Sequence, residues 1–461
     1  MTASLQAYPE YKDSALPWLG QVPKHWDIEP AFACFAPRLV RNKGMQETTV
    51  LSLSYGRIVV KPPDKLHGLV PESFETYQIV EPGDIIIRTT DLQNDHKSLR
   101  VGLVEERGII TSAYLCLRSK NSVSSVFAYQ YLNTWDLTKA IYGYGSGLRQ
   151  NLDFSHFKRM QVALPSPKEQ MAIDRYLTAT DRRIDRLIRN RQRLIELLNE
   201  QKQAIINRAV TRGLNPDIPL KPSGIDWLGD VPEHWEVLKI KRIARINPSR
   251  AEAFHMRESS KKVVFLPMER VSTEGGIDDF ERRPIKEVWQ GFTYFRRGDV
   301  VLAKITPCFE NGKGADLSTL DTDVGFGTTE FIVLRPSQRI SAEFLYQLTQ
   351  LTYFRSLGVE SMTGAAGQQR VPPNFVMDFG VPIPPPEEQS QIVSYANSVT
   401  TQLLCVVDRA RREIDLIREY RTRLIADVVT GKLDVREAAV DLPEELEKER
   451  DTEGATEETE E

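Results

Sequence analysis

The sequence predicts an α+β fold made by internal duplication: two mixed strand-and-helix domains, each followed by a long helix, the two helices pairing as an antiparallel coiled coil about a pseudo-two-fold axis. Three repeats carry that prediction. The series Ile173, Leu177, Thr180, Ile184, Leu187, Arg191, Leu194, Leu198, Gln201 and Ile205 steps by four and three, and it returns 219 positions later as Ile392, Ala396, Val399, Leu403, Val406, Ala410, Glu413, Ile417, Tyr420 and Leu424. The phrase Trp18-Leu19-Gly20-Gln21-Val22-Pro23-Lys24-His25-Trp26 returns as Trp227-Leu228-Gly229-Asp230-Val231-Pro232-Glu233-His234-Trp235, displaced by 209. Gly83-Asp84-Ile85-Ile86-Ile87, a turn feeding a buried strand, returns as Gly298-Asp299-Val300-Val301-Leu302, displaced by 215. The displacement grows along the chain, so the second copy has gained residues in pieces, where surface loops are expected.

Taken in order, residues 1–12 read as an N-terminal extension and 13–163 as the first domain. Pro165-Ser166-Pro167-Lys168-Glu169-Gln170 then opens the long helix assigned to 164–213, proline suiting the first turn and glutamate its dipole. At about 1.5 Å per residue such a helix is a rod on the order of 65 Å. Gly213 is placed to close its last turn. Residues 214–382 form the second domain; Pro384-Pro385-Pro386-Glu387-Glu388-Gln389 opens the second long helix, 383–433, and Gly431 ends it. An ordinary helical hairpin stapling two domains would show the same pattern. Residues 434–461 read as an acidic tail. From Asp441 onward it holds 11 acidic and 2 basic residues, a composition that cannot bury a core, which leaves +5 for the rest of a chain whose net charge is −4.

The 461 residues contain no apolar run long enough to span a membrane, and the first residues lack the basic start and apolar core of a signal peptide, so a cytoplasmic address is expected. Cys34, Cys116, Cys308 and Cys405 are scattered, which points to buried free thiols rather than a disulfide framework or a zinc site. Gly312-Lys313-Gly314 lacks the spacing of a phosphate loop, and Gly143-Tyr144-Gly145-Ser146-Gly147 has no strand-helix frame around it. The six histidines are dispersed, and His25 and His234, inside the repeated tryptophan phrase, read as packing. The chain is expected to carry no reaction.

Recognition remains. The crowded Arg182, Arg183, Arg186, Arg189, Arg191 and Arg193 form either a solvated face or a surface for phosphate or an acidic partner. After the strand of the first domain, Arg88 to Arg100 offers Arg88, Thr90, Gln93, Asn94, Lys97 and Arg100. Arginine suits guanine in the major groove, and asparagine or glutamine suits adenine. At the same point of the second domain, Lys304 to Gly314 offers Lys304, Thr306, Asn311 and Lys313. An exposed loop of no special role is the alternative for either stretch alone. A third pair precedes each long helix and brings Arg149 and Gln150 in one copy, Gln368, Gln369 and Arg370 in the other. Because both copies share it, positioning on the DNA backbone or a plain turn fits it better than base reading.

These residues resemble the specificity subunit of Type I restriction-modification systems. The likeness covers about residues 13–434, and its carriers are the doubled Trp-Leu-Gly-x-Val-Pro-x-His-Trp opening, Gly-Asp before a strand, Thr306-Pro307-Cys308-Phe309-Glu310-Asn311-Gly312-Lys313, and Pro-x-Pro-x-Glu-Gln before each helix. It implies that the two domains are target-recognition domains, each reading half of a split asymmetric site in double-stranded DNA, held apart by the helices. It also implies two modification subunits that methylate adenine with S-adenosylmethionine, and restriction subunits that use ATP and Mg; no cofactor is then expected on this chain. The acidic tail departs from that pattern. A non-enzymatic coiled-coil adaptor and a fused DNA methyltransferase are the rival readings, the first having no need of two loop-bearing domains and the second lacking its motifs.

Overall fold

The computed structural model describes residues 5–62, 73–90, 92, 99–120, 123–143, 152–273, 275–277, 281–365, 367–440 and 442. Two compact units emerge: residues 1–190 with 412–461, and residues 191–411. The first long helix, Pro167–Arg212, and the second, Pro386–Val429, each give one half to each unit.

The first unit is centred on a four-stranded antiparallel sheet in the order Phe35–Pro37, Leu115–Ser119, Asp84–Ile87, Val101–Leu103. The second repeats it as Ala244–Ile246, Phe331–Pro336, Val300–Ala303, Gly314–Asp316. Asp84–Ile87 and Val300–Ala303 are buried along their whole length, as interior strands of continuous apolar sequence should be. The glycine before each takes a positive φ, +88° at Gly83 and +80° at Gly298, which a side chain would oppose. In both units the strand after the His-Trp phrase pairs with the strand leading into the long helix: Asp27 lies opposite Leu164, and Glu236 opposite Ile383. Each unit therefore closes its chain ends at the root of a long helix.

A second sheet distinguishes the copies. In the second unit it has four strands, with Lys262–Leu266 parallel to Val324–Gly327. Among the described residues the first unit has instead the hairpin Leu51–Ser54 with Arg57–Val60 and the pair Gln78–Val80 with Gly108–Ile110, joined by a parallel bridge from Val50 to Ile109.

The long helices run antiparallel within each unit. Ile173 and Leu177 share a core with Leu424, Ile425 and Val428 in the first, and Ile206 and Val210 share one with Ile392, Val393 and Ala396 in the second. The expected heptad seam is buried at Ile173, Leu177, Ile184, Ile392, Ala396, Ala410 and Leu424 and departs from burial elsewhere. Leu187, Val406, Tyr420 and Gln201 are exposed, while Ile206, Val407, Ile414 and Ile425, each next to a seam position, are buried. The reason is geometric, since an undistorted helix turns every 3.6 residues and drifts about 20° per heptad from a 3.5 repeat. Along the second helix the buried stripe therefore takes in Val407, Ile414 and Ile425, one position past Val406, Glu413 and Leu424, while Ala410 and Leu424 stay within it.

Two terminal segments belong to the first unit. Tyr8 is buried and Tyr11–Asp13 pairs with Gln21–Pro23, so part of the expected N-terminal extension is core. The stretch assigned to the acidic tail from residue 434 likewise starts inside the fold: Asp434 bridges to Gln6, Val435 and Ala439 are buried, and the Arg436 guanidinium lies 5.1 Å from the centre of the Tyr8 ring. Of the four thiols, Cys34 and Cys116 are buried as expected, Cys308 is half-buried and Cys405 is exposed. No helix among the described residues is long and apolar enough to cross a membrane.

Candidate nucleic-acid interface

The frame that holds the loops recurs in both units, each with a buried aspartate held by the arginine of the neighbouring strand. Asp84 is fully buried and accepts from Arg118 Nε at 2.8 Å and from Arg38 Nη1 at 2.7 Å. Its counterpart Asp299, also fully buried, accepts from Arg335 Nε at 2.7 Å and Nη2 at 2.8 Å. Each carboxylate also takes the backbone N–H three residues before it, Glu81 N at 2.8 Å and Arg296 N at 2.9 Å, and so locks the turn that feeds the strand. A charge taken out of water needs such complete pairing. The backbone N–H of Leu152 donates to Thr89 O at 2.9 Å, and that of Val371 to Lys304 O at 2.8 Å, tying the strand end to the segment before each long helix. The repeated Gly-Asp phrase was a signal for these aspartates, but their arginine partners come from another strand and periodicity could not supply them.

In the second unit two of the stretches singled out by sequence become one surface. Thr306 N donates to Gln369 O at 3.0 Å, Gln369 N donates back to Thr306 Oγ1 at 3.2 Å, and Ile305 bridges Arg370. The Lys304–Lys313 loop is pinned from beneath by Phe309, which is buried against Phe354, their ring centres 5.9 Å apart. It is closed by bonds from Ala303 N to Lys313 O and from Lys313 N to Cys308 O, both 2.9 Å. Asn311 and Gln368 stand exposed on this surface, while Lys304, Thr306, Lys313, Gln369 and Arg370 are half-buried. Arg370 spends its guanidinium on Glu330, Nε to Oε2 and Nη2 to Oε1 at 2.9 Å each. That pair holds the Glu330 carboxyl below its ordinary range, with Lys304 adding to the effect. The exposed side-chain amides are thus carried on a loop whose own conformation is fixed by internal bonds.

The first unit behaves differently. Arg100, expected among the residues facing DNA, is fully buried. Its Nη1 donates to the carbonyls of Arg88 at 3.2 Å and Thr90 at 2.8 Å, its Nε to Tyr142 Oη at 3.3 Å, and its backbone N–H to Asp136 at 2.6 Å. Five donors in a fixed fork suit it to bind together carbonyls from several segments, so its side chain fastens the base of the loop instead of reaching outward. Arg88 and Thr90 are half-buried at that base. Gln93, Asn94, Lys97, Arg149 and Gln150 lie outside the described residues. On the first long helix Arg183, Arg186 and Arg189 are exposed, whereas Arg421 of the second helix pairs with Asp181 at 3.1 Å and Asp185 at 2.8 Å.

The Glu-Gln phrase at each helix entry also proves to have a specific task. Glu169 accepts from Trp26 Nε1 at 3.0 Å and Tyr8 Oη at 2.7 Å, and meets His25 Nε2 at 2.9 Å; Glu388 accepts from Trp235 Nε1 at 2.9 Å and meets His234 Nε2 at 2.8 Å. Gln170 and Gln389 receive the backbone N–H of Ser124 and Ser341 at 2.8 and 2.9 Å, and donate to Pro165 O and Pro384 O, both at 2.9 Å. Each serine in turn caps the domain helix that follows it. Domain and rod are therefore joined by polar clamps as well as by apolar packing. Among the described residues no group of three or more His, Cys, Asp and Glu is placed to hold a metal ion.

No family model matches the chain. Over 186 residues, 40% of its length, it is 38% identical to the EcoAI specificity subunit of a Type I restriction enzyme from Escherichia coli. That match spans 30% of the length of the E. coli protein. The MjaVIII Type I specificity subunit of Methanocaldococcus jannaschii is 22% identical over 350 residues, covering 72% of this chain and 76% of its own. A solved chain from work on complex assembly and conformational transition of the type I R-M system shares the fold, with a TM-score of 0.61 over 89% of this chain and 99% of that one, at 13% identity.

Proposed function

We propose, on the premise that this chain is a relative of the Type I restriction enzyme specificity subunits, that it is the DNA sequence-specificity subunit of such a system, itself without catalytic activity. Its recognition domains, 13–163 and 214–382, each read one half of a split asymmetric site, and the helices of 164–213 and 383–433 join them. Two modification subunits methylate adenine there with S-adenosylmethionine, and restriction subunits using ATP and Mg act when the site is unmodified.

One observation carries this reading: the two units share a frame to the level of equivalent bonds, while the loops mounted on that frame differ in sequence. A buried frame held by paired charges tolerates any loop that leaves those pairs intact. Two different loops in one chain are what two different half-sites require. In the second unit Asn311 presents a side-chain amide that fits adenine, Lys304, Thr306 and Lys313 serve the phosphates, and Gln368 and Gln369 position the DNA backbone. In the first, Arg88, Thr90, Gln93, Asn94, Lys97, Arg149 and Gln150 take these roles. Arg100 and Arg370 hold the loops in shape.

The test is selection from a pool of random duplex DNA by the chain in complex with its modification subunit. Enrichment of one bipartite sequence, methylated at adenine only in the complex, is expected. Recovery of unselected DNA, or methyl transfer by the purified chain alone, overturns the reading.

A further inference from the structure

The hairpin Leu51–Ser54 with Arg57–Val60 turns on two residues, Tyr55 and Gly56, since Ser54 lies opposite Arg57. Both take a positive φ, +46° at Tyr55 and +78° at Gly56, the backbone that a two-residue type I′ turn requires. Asparagine, aspartate or glycine ordinarily fills the first position, and a bulky side chain there is strained. Tyrosine fills it here, 87% exposed, with no hydrogen bond or ring contact from its side chain among the described residues. Burial cannot offset that strain, so the ring does not serve the fold. Strained backbone of this kind collects at binding sites.

The turn is held at a definite place. Tyr129 Oη donates to Gly56 O at 3.2 Å. A Cβ on Gly56 would stand 3.1 Å from Leu99 Cβ, and one on Gly102 would stand 2.7 Å from Leu53 Cδ1 and 2.8 Å from Ile58 Cδ1. Leu53 and Ile58 are cross-strand partners in the hairpin, so the ribbon is seated on the strand Val101–Leu103, into which the stretch from Arg88 to Arg100 runs. Residues 48–63 carry Arg57 and Lys61 and no acid. Asp181 and Asp185, which line the cleft beside Tyr55, are taken up by Arg421. The hairpin also lies in the sheet by which the two units differ.

We propose that this hairpin is a second DNA-reading element of the first domain. It enters the major groove as a two-stranded ribbon, and the Tyr55 ring at its tip lies against a thymine methyl of the half-site which that domain reads. The assignment deepens the proposed function and rests on it. The groove admits a ribbon of two strands, an apolar side chain is what the methyl group accepts, and a hairpin without acids meets no repulsion from phosphate. A reading element present in one unit and not repeated in the other is what two unlike half-sites call for.

Tyr55→Asn removes the ring and gives the turn a residue it favours, so the melting midpoint is expected to equal or exceed that of the unaltered chain. Selection from random duplex DNA, by the chain in complex with its modification subunit, is expected to show preference for thymine lost at one position in one half of the site. Affinity for the original site should fall about tenfold, as for a single mismatched pair. Tyr55→Phe is expected to keep the original preference. Deoxyuridine in place of that thymine should weaken the unaltered complex by a comparable factor and the Tyr55→Asn complex not at all. An unchanged selected site with affinity within twofold overturns the inference and leaves the proposed function standing. So does loss of the modification subunit from the Tyr55→Asn complex, which would set the ring against protein, and so does a lowered midpoint, which would make the ring part of the fold. An unaltered complex that selects no bipartite site overturns the proposed function and this inference with it.

Discussion

Trp26 donates its buried indole N–H to Glu169 at 3.0 Å across 143 positions of sequence, and Trp235 does the same to Glu388 at 2.9 Å across 153. The expected value of the helix-entry glutamate lay in the helix dipole, worth roughly 0.3–1 kcal/mol at an exposed end. Its burial against the tryptophan makes it worth more. Glu169→Ala leaves the Trp26 indole and Tyr8 hydroxyl without an acceptor, each a loss of roughly 1–3 kcal/mol. Hydrogen exchange read at the Asp27–Pro30 strand should therefore quicken by one to two orders of magnitude, while the Glu236–Lys239 strand keeps its protection. Equal change at both strands would disprove a local clamp.

The pair Asp299–Arg335 answers the question of what fixes the loop-bearing strand. Asp299→Ala removes two charge-assisted bonds from the buried Arg335 guanidinium and leaves it Glu252, and is expected to cost about 1.5–3 kcal/mol, whereas replacing both Asp299 and Arg335 by apolar residues of similar size should cost less. Urea titration of the two variants makes the comparison. Similar losses in both would show that packing, rather than the lost charge pairing, dominates.

Asp174 provides a pH test. Burial raises its carboxyl from 3.8 to about 6, against the opposing hydrogen bond from Ser124, and its Oδ1 is buried without a donor. Because the folded state binds the proton more tightly than the unfolded chain, this residue's contribution is fully present below pH 4 and falls away as pH rises to about 6. The difference is on the order of 2–3 kcal/mol. Asp174→Asn keeps the acceptor for Ser124 and removes the titration. Its stability relative to the parent should therefore rise between pH 4 and 7, read from urea midpoints; a constant difference across that range would refute the assignment.

Gly358 joins core packing to the candidate interface. A Cβ there would sit 2.4 Å from Phe309 Cζ, and Phe309 anchors the Lys304–Lys313 loop. Gly358→Ala should cost roughly 1–3 kcal/mol by overpacking and blur selection at one half of the DNA site only. Asn311→Ala should alter base preference at that same half, and Lys313→Ala should weaken binding to all sequences and flatten the salt slope by about one. Site selection and salt titration with each variant separate these effects, and an Asn311→Ala protein with unchanged preferences would remove Asn311 from the readout.

What the sequence determined by itself is whatever repeats or alternates over short distances. The duplication, both long helices, the entry prolines, the Gly-Asp turns and the doubled tryptophan phrase were all legible, because local geometry demands those residues wherever they occur. Tertiary structure alone decided the phase of the helix seam, because the drift between 3.5 and 3.6 residues per turn is resolved only by what the partner helix buries. It also decided that Arg100 turns inward, that Lys304–Lys313 and Gln368–Arg370 become one surface, and that Asp434 returns to Gln6. Each of these joins groups far apart in the chain. Whether a charged or polar side chain faces solvent or is buried depends on whether the fold delivers enough partners to replace its water, and no stretch of sequence holds both sides of that exchange.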